Sequence, residues 1–313
     1  MTMQRLVITG KSGFVGQNLA RYLQGRYRLA SIGRGPSTAV SQDDYCQWDD
    51  LSTDFLNDAT AVIHLAGKAH DVRGTSNADE YFASNTELTS RLFDLFLQST
   101  ARDFVFFSSV KAIADEVSDV LYETAEPSPQ TPYGRSKLAA EQYIAGRQLP
   151  SGKRVFILRP SMIHGPGNRG NLNLLYRFVR SGIPYPLAAF QNKRSFLSVE
   201  NLCFAVAALL EHPSIPGGPY QLADDDALST TEVVRLIAEG LHRTSRLWSL
   251  PPRLLQTAAR AGDTLRLPLN TDRLRKLTEN YVVDNHKIKD ALKIQSFPVE
   301  AREGLLKTIR SFE

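Results

Sequence analysis

Cys46 and Cys203 are the only cysteines in a chain of 313 residues, and they stand far apart. They make neither a Cys-x-x-Cys pair nor a disulfide framework, which fits two structural thiols in a reducing compartment. No cluster of His, Asp and Glu has metal-ligand spacing, so no metal is expected. No stretch approaches the roughly 18 consecutive apolar residues of a membrane span. Dense Lys/Arg runs are missing too, which excludes the electrostatic footprint of a nucleic-acid binder. The net charge of +4 is mild and suits a small anionic ligand. Leu6-Val7-Ile8 starts a strand-like run with no signal peptide ahead of it, so the cytoplasm is the expected location. Internal repeats and low-complexity linkers are also absent.

What is present is the composition of an ordinary globular protein, 42% hydrophobic and 22% charged. The first half alternates short apolar strands with helical stretches, the signature of a parallel sheet covered on both faces. Strands are expected at 5–9, 28–32, 61–65, 104–108 and 154–158, and helices at 14–23, 78–98 and 132–146. After Arg159-Pro160 the texture changes. Gly, Pro and Asn crowd 165–173, a loop-rich region runs through 213–219, and helices follow at 230–241 and 252–261. The expected fold class is α/β, a Rossmann-type doubly wound parallel sheet with a smaller, mixed α/β C-terminal part. The dinucleotide-binding domain would span 1–160, with 195–222 packing back on it. Residues 161–194 and 223–313 would form the substrate-binding part across a shared cleft.

The first strand runs into Gly10-Lys11-Ser12-Gly13-Phe14-Val15-Gly16, and a helix follows. Glycines at this spacing allow a tight turn, a close backbone approach to a pyrophosphate, and an anion on the exposed N–H groups of the helix N-terminus. A P-loop would need a glycine at position 5, which is Arg5. The second strand ends at Gly33-Arg34-Gly35, with no acid to accept from a ribose 2′-hydroxyl. Arg34 could instead pair with a 2′-phosphate, which favours NADP(H) and leaves NAD(H) as the alternative. Asp50, beside Leu51, is a candidate for the adenine amine. Ser12, Phe14 and Val15 complete the cofactor-binding set at this turn.

Tyr133-Gly134-Arg135-Ser136-Lys137 puts a phenol and an ammonium four apart, hence on one helix face. Moving a hydride to or from a carbonyl carbon requires a matching proton on oxygen. To move it at neutral pH a tyrosine must be lowered by roughly three pKa units, about 4 kcal/mol, and a nearby lysine supplies that field. Upstream, Phe104–Phe107 is an apolar strand ending in Ser108-Ser109, where an open α/β sheet binds its ligands. Ser109 is the preferred partner of the reacting oxygen, with Ser108 as the spare. The catalytic set is Ser109, Tyr133 and Lys137.

In this order, the glycine turn, the Ser109 strand end and the Tyr133/Lys137 pair resemble the extended short-chain dehydrogenase/reductase superfamily. Further matches follow along the chain. They are His64-Leu65-Ala66-Gly67, Asn85, Arg159-Pro160, His164-Gly165-Pro166-Gly167 and the block from Arg194 to Leu202. The resemblance implies that Leu65, Ala66, Gly67 and Pro160 line the cofactor, that Lys137 holds its ribose, and that Asn171 and Arg194 hold a nucleotide diphosphate. Ser109, Val110 and Lys111 would complete the substrate side. It also implies a nucleotide-sugar substrate, UDP-hexose above all, surface-polysaccharide synthesis, and a homodimer formed by the helices at 78–98 and 132–147. Dehydratases of the superfamily carry Thr-Asp-Glu where this chain has Ser109-Val110-Lys111, so elimination of water is not expected. A reductase or dehydrogenase at C4 leads, a 4-epimerase with retained NAD comes second, and a non-catalytic NAD(P) sensor is remote because the Tyr/Lys pair is kept. His64 is expected to be structural, and His70 and Asp71 lie on a loop whose role the residues leave open.

Overall fold

The computed structural model describes residues 3–35, 44–69, 77–168, 170–265 and 270–312. Its first half runs β1 (Arg5–Thr9), α1 (Phe14–Leu23), β2 (Arg28–Gly33), β3 (Tyr45–Gln47), α2 (Thr53–Leu56), β4 (Ala59–His64), α3 (Ala78–Phe82), a π turn (Ala83–Glu87), α4 (Leu88–Gln98), β5 (Asp103–Phe107), a 3-10 turn (Val110–Ala112), β6 (Val120–Leu121), α5 (Pro132–Ala145) and β7 (Arg154–Pro160). The second half follows as β8 (Met162–His164), α6 (Asn171–Arg180), β9 (Phe196–Ser198), α7 (Val199–Glu211), β10 (Gly218–Leu222), α8 (Thr230–Gly240), α9 (Pro252–Leu265), α10 (Thr271–Thr278), β11 (Val282–Val283), α11 (His286–Leu292) and α12 (Ala301–Arg310).

Seven strands form one sheet in the order β3-β2-β1-β4-β5-β7-β10, every neighbouring pair parallel. This is the Rossmann-type α/β fold expected. Strands buried on both faces must be apolar throughout, which is why β1 and β5 read as continuous hydrophobic runs. Leu6, Ile8 and Phe156 face α1 and α7 on one side. Val7, Val62 and Phe104 face α4 and α5 on the other. The strand order reverses direction at β1 and β4, and the crevice outside their carboxyl ends is where such sheets bind ligands.

Three local departures have physical causes. The helix expected at 78–98 is interrupted by the π turn, whose central Asn85 is fully buried and turned inward to bond other segments. The stretch read as loop at 213–219 supplies the start of β10. Pro219 is tolerated there because β10 is an edge strand paired only with β7. β3, the opposite edge, is three residues long and has no alternation to betray it.

The C-terminal lobe packs α6, α8, α12 and the β8–β9 pair around Leu172, Tyr176, Phe196, Ile237 and Leu305. A second cluster joins Tyr185, Leu187, Val234, Leu255 and Leu274.

Candidate active site

The glycine turn is built by exclusion. Gly10 has φ +69°, and a Cβ there would lie 2.7 Å from the Ala66 nitrogen. A Cβ on Gly16 would lie 2.3 Å from the Gly10 carbonyl oxygen. The turn is thus pressed against the end of β4 on one side and its own helix on the other. Gly13 caps α1 without a side-chain acceptor, and the first helical turn carries no acid. Ser12 and Gly13 are exposed. Gly13 N–H donates to the Gly10 carbonyl at 3.0 Å, and the N–H groups that follow it at this helix end can meet an anion, so the residues present fit a dinucleotide pyrophosphate.

Behind the turn, hydrogen bonds fix one proton arrangement. Ala66 N–H donates to Thr9 Oγ1 at 3.0 Å, so the Thr9 hydroxyl proton is available for His64 Nδ1, 2.7 Å away. At the other end Thr89 Oγ1 donates to the Asn85 carbonyl at 2.6 Å and so must accept from His64 Nε2, 2.9 Å away. The imidazole is neutral, with its proton on Nε2. Burial, helped by the charge of Lys137, pushes its pKa down to about 3. Asn85 in turn clamps three segments. Its Oδ1 accepts from Lys68 N at 2.7 Å, and its Nδ2 donates to the Lys68 carbonyl and to Ser136 Oγ on α5. Leu65–Gly67 is thereby held against α5, and a Cβ on Gly67 would lie 2.6 Å from Asn85 Oδ1 and 3.3 Å from Lys137 Nζ.

Ser109, Tyr133 and Lys137 come together at the carboxyl end of β5. Thr131 caps α5 and Pro132 opens it. Gly134 lets the helix approach, since a Cβ there would lie 2.4 Å from the Lys111 carbonyl oxygen. The Ser108 hydroxyl donates to Glu141, while Ser109 faces Tyr133. Lys137 is buried, donates to the Phe107 carbonyl at 2.8 Å, and lies 5.0 Å from the centre of the Phe106 ring. Burial pushes its pKa down to about 8, opposed by Glu141. Burial also holds the Tyr133 phenol above its ordinary value, while the Ser109 hydroxyl acts in the other direction. One direction of the Lys137 ammonium is fixed by its bond to the Phe107 backbone carbonyl.

Sequence reasoning passed over the supports of this centre. Glu141 is held by Arg159, whose Nη2 lies 2.6 Å from Oε2, and both are buried. Glu141 stands four residues after Lys137 on one helix face, a spacing that could have flagged it. Tyr81 also escaped notice, with its ring centre 6.2 Å from that of Tyr133.

Lys111 and Arg194 are brought together around an unforeseen carboxylate. Arg194 Nη2 lies 3.1 Å from Glu279 Oε1, a residue 85 positions away. The Lys111 ammonium sits 4.1 Å from the centre of the Tyr281 ring and also feels Glu279 and Arg194. Val110 is buried beside Ser109. Pro160 is buried at the end of β7, and Leu65 and Ala66 are half-buried at the turn. Arg34 and Asp50 are both exposed, Arg34 directly after β2, and Leu51 is buried. Asn171 opens α6, but its side chain lies outside the described residues, as do His70 and Asp71.

This is the architecture of a nicotinamide-dependent enzyme of the extended short-chain dehydrogenase type. Residues 6–223 match the model of the NAD dependent epimerase/dehydratase family, and the chain belongs to that family. It is 32% identical over 260 residues to a UDP-glucose 4-epimerase of Vibrio cholerae, covering 79% of this chain and 78% of that one. To a GDP-6-deoxy-D-mannose reductase of Pseudomonas aeruginosa it is 27% identical over 75% of this chain and 80% of the other. Among solved structures, a UDP-N-acetylglucosamine 4-epimerase from Bacillus cereus has the same fold, with a TM-score of 0.75, 22% identity, and coverage of 99% and 98%.

Proposed function

We propose that this enzyme is an NADP(H)-preferring 4-keto reductase or dehydrogenase acting at C4 of a nucleotide-linked hexose, most simply a UDP-hexose, in surface-polysaccharide sugar synthesis. The observation that carries the reading is the convergence of Ser109, Tyr133 and Lys137 at the carboxyl end of β5, beside the glycine turn. A bound nicotinamide supplies or accepts the hydride. Gly10, Ser12, Gly13, Phe14, Val15 and Gly16 would hold its pyrophosphate, Asp50 and Leu51 the adenine end, and Leu65, Ala66, Gly67 and Pro160 the nicotinamide end. Lys137 would hold the ribose.

Tyr133 moves the proton at the sugar oxygen. A phenol kept protonated by burial is ready to donate, which suits the reductive direction. Ser109 hydrogen-bonds the same oxygen and fixes its distance from Tyr133. Lys111 and Arg194, with Asn171, would hold the diphosphate. Arg34, exposed after β2 with no acid beside it in sequence, would fork onto a 2′-phosphate. The substrate part would comprise 161–194 and 223–313, set against the 1–160 domain and the returning 195–222 segment. A homodimer across α4 and α5 is part of the proposal. Its seam would be polar, because Tyr143 donates to Asp94 at 2.6 Å on that surface and Arg147 joins them.

The similarity to a UDP-glucose 4-epimerase supports a second reading, interconversion of C4 epimers with cofactor retained. One experiment separates the two. The purified enzyme is given a UDP-4-keto-hexose with NADPH, and separately UDP-glucose with no added cofactor. Stoichiometric NADPH oxidation with no interconversion supports the reductase. Interconversion without added cofactor replaces it with the epimerase, and inactivity in both arms with a folded, NADPH-binding protein removes the nucleotide-sugar assignment.

A further inference from the structure

Two segments of the C-terminal lobe contain no acid at all. Residues 161–199 and 240–262 together hold nine of the chain's 37 Lys and Arg and none of its 33 Asp and Glu, so the rest of the chain is net acidic. The fold lays parts of these segments side by side. Tyr185 pairs with Leu247, Tyr185 N–H donates to the Arg246 carbonyl, and Arg243 Nη1 donates to the Arg180 carbonyl at 2.8 Å. Arg177, Arg180, Arg243, Arg246, Arg253 and Arg260 are all exposed, and among the described residues none forms an ion pair.

The same part of the chain exposes large apolar side chains near those arginines in sequence. Leu174 (64%), Ile183 (56%), Trp248 (56%), Leu254 (61%) and Leu265 (67%) are five of the eight large hydrophobics most open to solvent. Burial in α9 is confined to Leu255, Ala259 and Gly262, which leaves most of its surface uncovered. In the extended pair 183–188 and 246–249, Tyr185 and Leu187 point into the core while Arg246 and Trp248 are exposed. A guanidinium and an indole, Arg246 and Trp248, therefore share the outer face of this segment, and Arg243 ties it to the Arg180 end of α6. Beside it, a cavity of ≈ 280 Å³ is lined by Asn173, Arg177, Arg180 and Phe312.

We propose that this surface docks onto an anionic phospholipid bilayer, lying on it without spanning it. Arginine with Trp, Leu and Ile is the pairing that interfacial binding uses. The cations are drawn to acidic headgroups, and the apolar side chains enter the boundary between headgroup and acyl chain. Among the described residues no helix is long and apolar enough to cross a membrane, so attachment would be peripheral. A second copy of the chain is the poorer occupant. A two-fold contact sets a patch against itself, and here that would bring unpaired arginines against one another. The proposal does not rest on the catalytic reading.

The test uses the full chain and vesicles of phosphatidylglycerol and phosphatidylcholine in equal parts, with pure phosphatidylcholine as control. Trp248 is the reporter, since Trp48 is buried, and Trp248→Phe assigns the signal. Co-sedimentation with the anionic vesicles alone, a blue shift of Trp248 emission, and release by salt are expected. Leu254→Ser with Trp248→Ser should weaken binding about tenfold, and Arg177→Glu with Arg180→Glu and Arg253→Glu should abolish it. Melting temperature and turnover of a soluble substrate should not change in either variant. Failure to sediment with anionic vesicles, or equal binding to neutral ones, overturns the proposal. So does light scattering that shows a dimer dissociated by Trp248→Ser, which would make the patch a contact between copies.

Discussion

The sheet's carboxyl edge and the C-terminal lobe place their charges in opposite ways. At the sheet edge the cations are enclosed and committed, Lys137 to a carbonyl and Arg159 to Glu141. The glycines there stand where no side chain fits. In the lobe six arginines face solvent and, among the described residues, form no ion pair, and α9 leaves most of its surface bare. A site that must hold reacting atoms to a fraction of an ångström needs a supporting shell that fixes each group. A surface that meets a yielding partner needs only charge and exposed apolar area. The difference between the regions is one of tolerance, and substitutions should reveal it.

Tyr133→Phe should have the largest effect. It removes the group proposed to move the proton while keeping the ring, so turnover should fall by about 10²–10⁴ with cofactor binding and melting temperature intact. Near-normal turnover on a verified substrate would show that the enclosed edge is not the reacting centre.

Gly16→Ala against Gly170→Ala is the direct steric comparison. A Cβ on Gly16 would meet backbone at 2.3 Å, whereas on Gly170 its nearest neighbour is the Asn168 side chain at 3.4 Å. The first should lose cofactor binding and at least about 2 kcal/mol of stability, and the second should stay within about 0.5 kcal/mol. Equal losses in chemical denaturation would erase the proposed contrast.

Acid should act through His64. Its folded pKa of about 3 lies below the ordinary 6.5. Between those values the unfolded chain therefore binds a proton that the folded chain refuses. Stability contributed by the neutral ring is complete above pH ~6.5 and is lost as pH falls toward ~3, by at most about 5 kcal/mol. A His64→Gln variant, which cannot titrate, should show a flatter acid limb in denaturation measured across that window. Parallel curves for the two proteins would mean that the ring is charged, or exposed, in the folded state.

Arg194→Ala lies between the regions and should show a mixed effect. Because it leaves the Glu279 carboxylate half-buried without this partner, a loss of about 1–2 kcal/mol should accompany the raised sugar-nucleotide KM. The sequence alone implied no such loss, for no carboxylate stands near Arg194 along the chain. A KM effect with an unchanged melting temperature would assign the Glu279 pair no structural worth.

The parts legible in the sequence were those whose cause is local. A glycine turn between strand and helix, a Tyr and a Lys one helical turn apart, and apolar runs buried on both faces all follow from spacing. Lys111 and Arg194 were named separately, but Glu279, which pairs with Arg194, comes from a segment 85 residues beyond it. No periodicity connects the two. The π turn at Ala83–Glu87 was hidden for a related reason. Its apolar pattern reads as one helix, and what breaks it is the demand of Asn85 for partners at Lys68 and Ser136. Likewise Tyr-x-x-x-Lys fixes a shared helix face, but it does not reveal that the ammonium donates to the Phe107 carbonyl.

The bonds running from Ala66 through Thr9, His64 and Thr89 to Asn85 point one way along their whole length. Passing a proton along them would require reversing every donor, with an imidazolium as the intermediate state in a place where the ring resists protonation down to about pH 3. The row therefore works as an insulator. It holds the cofactor turn and the π turn at fixed spacing while blocking proton leakage into the sheet.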